Sequence, residues 1–147
     1  MTAKGTILLV EDNDDDVLLT LRAMKRTGIE DKVVVARDGG EALEYLFAQG
    51  NRGREHDLPW IVLLDLRLPR IDGLETLSLL RANDETRLLP VIVLSASNDE
   101  QDIAESYRLG ANSYLKKPTD FDDFTGLLRT IHVYWTANEI PYGRRHA

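Results

Sequence analysis

Five positions in this chain carry groups suited to binding a phosphorylated ligand. They are the paired acids Glu11 and Asp12, the lone Asp65, the hydroxyl of Ser95 and the ammonium of Lys117. Each follows closely on a short apolar run, at 6–10, 60–64, 91–94 and 113–115. An ionised group is costly inside such a run, so each should stand where a strand ends and the chain leaves the core. Three carboxylates brought together raise one another's pKa unless a cation neutralises them. Their all-oxygen character, with no His or Cys alongside, suits Mg²⁺, a hard ion commonly held by one or two carboxylates plus a phosphate. It argues against zinc. A hydroxyl and an ammonium added to a metal and a carboxylate make a charge-neutralising cradle for a phosphoryl group. In such a cradle Asp65 can act as nucleophile and become an aspartyl phosphate.

For these groups to meet, the elements behind them must form one sheet. The run at 60–64 is continuously apolar rather than alternating, as expected of a strand covered on both faces in a parallel sheet. Strands are also expected at 6–10, 32–36, 91–94 and 113–115. Helical spacing predicts helices from 14 to about 27, over 41–49 and 74–81, and from about 99 to 109 and 120 to 135. Asp14, Asp15 and Asp16 read as N-cap and first-turn acids of the first helix. The polar stretch 50–57 reads as a loop, with His56 a solvated loop residue. Strand and helix alternate five times, which implies an α/β fold: a five-stranded parallel, doubly wound sheet with right-handed crossovers. In the order 2-1-3-4-5 the strand sequence reverses between the first and third strands, and the ligand crevice opens there. Glu11 and Asp12 end one of those strands and Asp65 ends the other, so the three carboxylates converge.

The chain has 147 residues, a length that fits one ordinary domain, here 1–147. A formal net charge of -7 argues against a surface built to neutralise nucleic-acid phosphates. No cysteine is present, which removes disulfides and thiolate metal sites and favours a reducing compartment, with the cytoplasm as the expected location. Neither a signal peptide nor an apolar run of about 18 residues is visible, so no membrane span is expected.

The set resembles the response regulator receiver family of two-component signalling, with its CheY-like, flavodoxin-like (βα)5 fold. The likeness rests on Glu11-Asp12 closing a strand, Asp65 with Pro69 and Gly73 at the family's intervals, Ser95-Ala96, Tyr114, and Lys117-Pro118. It covers about 5–135 and leaves 136–147 as a C-terminal extension. It implies that Asp65 is the phospho-acceptor and that Asp12, Asp65 and the backbone carbonyl of Arg67 ligate Mg²⁺, with Glu11 acting through water. It further implies that Ser95 and Lys117 contact the phosphoryl group, and that Ser95 and Tyr114 form the switch. The stretches 94–99 and 111–115, with Tyr134-Trp135 and Ile140-Pro141, are similar to the single-domain regulators partnered with cyanobacterial phytochromes and bacteriophytochromes. That likeness implies a histidine kinase of phytochrome type as partner. The protein would then be a switch that assists its own modification, not an enzyme in the usual sense.

Other readings compete with this one. A phosphoaspartate-type phosphohydrolase shares a strand-end aspartate and Mg²⁺, but carries a second aspartate two residues after the nucleophile, where this chain has Arg67. A receiver-like scaffold that works without phosphorylation is opposed by the intact acidic set. The twelve residues after Trp135 are too few for a DNA-binding helix-turn-helix, so a transcription factor is the least expected reading. Arg67 can pair with the acidic cluster, hinder water attack, or simply be solvated. Lys117-Pro118 suggests a turn that aims the ammonium inward, a cis bond being one way to make it. Tyr114 alone would read as a half-buried strand aromatic. Arg144, Arg145 and His146 read as a frayed end. Finally, Phe121, Phe124, Leu127, Leu128, Ile131, Tyr134 and Trp135 make a stripe wider than one helix needs to seat itself. With Val133, Ile140, Pro141 and Tyr142 beyond it, the expectation is a homodimer through the last strand, the last helix and the tail. The alternative is that the tail folds back over the helix.

Overall fold

The structure, a computed structural model, describes residues 4–51, 58–141 and 144–145. Five strands and five helices alternate: β1 (Lys4–Val10), α1 (Asp14–Arg26), β2 (Lys32–Ala36), α2 (Gly39–Asn51), β3 (Ile61–Leu64), α3 (Gly73–Ala82), β4 (Val91–Ser95), α4 (Glu100–Arg108), β5 (Ser113–Lys116) and α5 (Phe121–Thr136). A two-residue strand, β6 (Arg144–Arg145), follows. The first five strands are parallel, in the order β2-β1-β3-β4-β5. This is the doubly wound topology expected from the alternation.

The continuous apolar runs are explained by two cores, one on each face of the sheet. Successive strand residues point to opposite faces. Leu8, Val10, Val62, Leu64, Val91 and Val93 therefore meet Leu43 and Leu46 of α2 and Leu77 and Leu80 of α3. Ile7, Leu9, Ile61, Leu63, Ile92 and Leu94 meet Ala23 and Met24 of α1 and Phe124, Leu128 and Ile131 of α5. Full burial of one such aliphatic side chain contributes about 1.5–3 kcal/mol. That is enough to bury every residue of β3 and β4 and push the first polar groups to the strand tips.

Several local expectations are corrected. The cap of α1 is Asn13, whose side chain accepts the Asp16 N–H, so Asp14, Asp15 and Asp16 form the first turn behind it. Among the described residues no peptide bond is cis, so Lys117-Pro118 is trans. The tail is not frayed throughout, because Arg144 and Arg145 pair antiparallel with Gly5 and Lys4. Gly5 and Lys4 come before Thr6 and Ile7, where pairing with β2 and β3 begins, so β6 pairs with a part of β1 that neither neighbour covers. Along α5, Phe124, Leu128 and Ile131 are buried, and Trp135 and Ile140 pack against the same core, so part of the tail does fold back. Val133 and Tyr134 stay 64% and 60% exposed. Expectations for His56, Tyr142 and His146 lie outside the described residues.

Candidate functional site

Three backbone hydrogen bonds aim the strand ends into one crevice. The Glu11 N–H donates to Ala36 O (2.9 Å), the Asp65 N–H to Val10 O (3.1 Å) and the Lys117 N–H to Ser95 O (2.8 Å). Each continues a parallel ladder one residue past its strand, so the side chains emerge together at the C-terminal edge of the sheet. Carboxylate oxygens of Glu11, Asp12 and Asp65 lie within 4.8 Å of one another. The Lys117 ammonium sits among them, 2.5 Å from Glu11 Oε1, 3.3 Å from Asp65 Oδ2 and 3.7 Å from Asp16 Oδ2. Asp16 is a member of this cluster that sequence reasoning assigned only to the helix dipole.

Burial sets the electrostatics. The Glu11 side chain is only 3% exposed, and its carboxyl is pushed up to about 7. Desolvation is the largest cause and the Asp65 charge adds to it, against the pull of the Lys117 hydrogen bond. Burial alone would lower the Lys117 pKa, but its bond to Glu11 and the charges of Asp65, Glu11 and Asp16 outweigh that and raise it. The crevice thus concentrates negative charge that one ammonium only partly offsets. An all-oxygen donor set of this kind fits a hard divalent cation.

The loop behind Asp65 is held from below. Gly73 starts α3 directly against it, and a Cβ there would stand 2.4 Å from the Asp65 carbonyl oxygen and 2.5 Å from Leu66 Cα. Only glycine allows that approach. Asp72 caps α3 through the Glu75 N–H. Arg70 takes a left-handed φ of 62° and its guanidinium is fastened to the buried Asp38. Within the loop the Arg67 N–H donates to Asp65 Oδ1 (3.1 Å), which fixes the orientation of the carboxylate.

Ser95 ends β4 fully buried, and its Oγ accepts the Ser97 N–H at 3.1 Å. Tyr114, on β5, is half-buried and donates its hydroxyl to the Ser97 carbonyl at 2.8 Å. Its own N–H donates to the Tyr107 hydroxyl at 3.1 Å. The Arg67 guanidinium is neither on the acidic cluster nor unpaired, and stands 3.7 Å from Asp102 of α4. The crevice therefore gathers Glu11, Asp12, Asp65 and Lys117 in one place, while Ser95 and Tyr114 are joined to each other through Ser97. The pairing of Asp38 with Arg70 and of Ser97 with Asp102 escaped sequence reasoning, because each joins separate elements with no local pattern.

The response regulator receiver domain model matches residues 7–129. The chain belongs to the response regulator receiver family. It is 43% identical over 129 residues to a probable methanogenesis regulatory protein, FilR2, of Methanothrix harundinacea, covering 88% of this chain and 82% of that one. It is 36% identical to response regulator Rcp1 of Synechocystis, covering 88% and 87%. The crystal structure of the phosphorylated cyanobacterial phytochrome response regulator RcpA superposes with a TM-score of 0.85, at 35% identity over 95% of this receiver and 99% of that chain. The solved Mn²⁺-bound form of Rcp1 gives 0.79, at 33% identity over 93% and 99%. The receiver thus has an acidic cluster that could hold a metal ion and is similar to a regulator solved with Mn²⁺. Among the described residues no helix is long and apolar enough to cross a membrane.

Proposed function

We propose that this receiver accepts a phosphoryl group on Asp65 from a histidine kinase of phytochrome type and uses the charge to switch a protein-binding surface. The observation that carries the reading is the convergence of Glu11, Asp12 and Asp65 within 4.8 Å around the Lys117 ammonium. In the transfer, an Asp65 carboxylate oxygen forms a bond to phosphorus while the bond from phosphorus to the donor breaks, and the donor's leaving group takes the bonding pair. Lys117, already 3.3 Å from Asp65 Oδ2, is placed to bind a phosphoryl oxygen. The Ser95 hydroxyl contributes a second contact, and Tyr114 responds through Ser97. Asp12, Asp65 and the Arg67 carbonyl would hold Mg²⁺, with Glu11 acting through water. When bound, the ion supplies positive charge that neutralises the phosphoryl oxygens. Phosphorylation shifts the population between two arrangements of the partner surface. Water attack on phosphorus later breaks the bond to Asp65 and releases phosphate, so the protein assists its own resetting.

A phytochrome-type kinase is favoured by the likeness to the phytochrome response regulator RcpA, and a cytoplasmic location by the absence of cysteine. The same surface reading includes a homodimer: Val133 and Tyr134 project from α5, beside Trp135 and Ile140. Light scattering on the full chain tests it, and a chain that stays monomeric at micromolar concentration with and without phosphodonor opposes it. The test of the main reading is intact mass after incubation with acetyl phosphate and Mg²⁺. One added phosphoryl group in the native chain, none in Asp65→Asn and none in excess chelator is the expected result. Equal labelling of Asp65→Asn would overturn the assignment.

A further inference from the structure

Arg67 lies at a junction between the site and α4. Its backbone is tied to the Asp65 carboxylate, while its guanidinium reaches across to the first turn of α4 and stands 3.7 Å from Asp102 Oδ2. The same oxygen accepts the Ser97 hydroxyl at 2.8 Å. Ser97 in turn accepts the Asp99 N–H on its hydroxyl and the Tyr114 hydroxyl on its carbonyl. One carboxylate oxygen therefore connects Arg67, the start of α4 and the switch tyrosine. Between Arg67 and the loop from Ala96 to Asp99 lies an open cavity of about 460 Å³. The guanidinium has room to move through it.

Both ends of this arrangement are weakly held. The Arg67 side chain is 77% exposed and the pair is long, so its strength is that of a surface ion pair, which is small. Phosphorylated Asp65 carries about two negative charges in place of the single charge of its carboxylate, and three acceptor oxygens, against the single charge of Asp102. Guanidinium groups bind such oxygens in bidentate fashion. Once Arg67 leaves, Asp102 loses its cation and stands beside Glu100 in an acidic first turn capped by Asp99. Like-charge repulsion then acts on the first turn of α4.

Resting on the reading that Asp65 is the acceptor, we propose that Arg67 exchanges partners on phosphorylation. It leaves Asp102 for the phosphoryl oxygens and so loosens the start of α4 and the Ser97 carbonyl that anchors Tyr114. Arg67 is thus a positioning residue that transmits the state of Asp65 to α4. No covalent bond changes in the exchange, which breaks and forms only ion pairs and hydrogen bonds.

The test is hydrogen exchange at the backbone amides of 99–103 in the full chain, with and without acetyl phosphate and Mg²⁺, with intact mass giving the fraction phosphorylated. In the native chain phosphorylation should speed this exchange about two- to fivefold, the scale of losing one exposed ion pair. In Arg67→Ala the amides should already be fast at rest and change little on phosphorylation, and Asp102→Asn should behave alike. Arg67→Lys, which keeps the charge, should restore part of the resting protection. The proposal is overturned if Arg67→Ala, phosphorylated to the same extent, shows the resting exchange and the phosphorylation response of the native chain. A native chain that gains mass while these amides stay unmoved defeats the exchange alone. A native chain that gains no mass defeats the Asp65 reading and the exchange with it.

Discussion

Replacing Asp65 by asparagine should make the metal-free fold more stable at pH 8. Two carboxylates, Glu11 and Asp12, lie within 4.8 Å of Asp65, and at an effective dielectric of about 20 each repels it by about 3.5 kcal/mol. The Lys117 ammonium at 3.3 Å attracts it by about 5 kcal/mol on the same scale. The balance favours removing the charge by about 2 kcal/mol, and solvent around the exposed Asp12 reduces this to about 1 kcal/mol. The gain should also depend on pH in a defined direction. Glu11 has a folded pKa of about 7, above its ordinary 4.5. Its contribution to stability is therefore complete below 4.5 and is lost as pH rises through 7, by about 3 kcal/mol at 1.36 kcal/mol per unit. Asparagine removes the Asp65 share of that loss and leaves Lys117 to Glu11. Thermal unfolding without divalent metal should show Asp65→Asn melting about 2–4 °C higher at pH 8. The difference should shrink or reverse at pH 4, where Glu11 is protonated in both proteins. A variant no more stable than the native chain at pH 8, or an equal gain at both pH values, would show that carboxylate repulsion does not strain the crevice.

Other outcomes follow from the same geometry. Gly73→Ala should lower stability by about 1–3 kcal/mol, because the added Cβ meets backbone at 2.4 and 2.5 Å and cannot be accommodated by a side-chain shift. An unchanged urea midpoint would contradict this, and phosphorylation of Asp65 should fall with the displaced loop. Adding Mg²⁺ near pH 7 should release protons from Glu11 as the cation favours its ionised form, measurable by calorimetry in buffers of different ionisation enthalpy, and Asp12→Asn should abolish the release. At the other end of the sheet, Asp31 accepts from Trp60 Nε1 and the Gly5 N–H and pairs with His132. Burial alone would raise its pKa, but these partners outweigh that and hold it below its ordinary value. Its stabilisation should be present above about pH 4 and lost as pH falls further. Asp31→Asn should therefore cost about 1–3 kcal/mol at pH 7 and progressively less in acid, as followed by circular dichroism.

The sequence made the centre of the sheet readable because β3 and β4 are covered on both faces, so their runs are unbroken until Asp65 and Ser95 interrupt them. β2 was legible to the residue for a related reason, as five residues rich in valine are bounded by polar ones. Where elements are held by backbone or loop contacts instead, local pattern failed. α2 begins at Gly39, two residues before the expected start, because Asp38 accepts the Glu41 N–H and the bare Cα of Gly39 fits against Ile71 and Thr76. Asn13, Asp14, Asp15 and Asp16 are all good caps by type, and only the geometry selects Asn13. β6 carries no apolar signal, since what it satisfies is the backbone of Lys4 and Gly5. The carboxylates of the site were legible through topology, which brings the ends of β1 and β3 together. The partnership of Arg67 with Asp102 was not, because it joins a loop to a helix turn whose separation the sequence does not encode locally.

Asp65, and no other carboxylate of the crowded crevice, should take the phosphoryl group. Borohydride reduces an aspartyl phosphate to homoserine, so phosphorylation followed by reduction and peptide mapping marks the acceptor directly. The predicted result is homoserine at position 65 alone, dependent on divalent metal and reduced by Lys117→Ala. Homoserine at position 12 or 16 with residue 65 unmodified would place the acceptor elsewhere in the crevice.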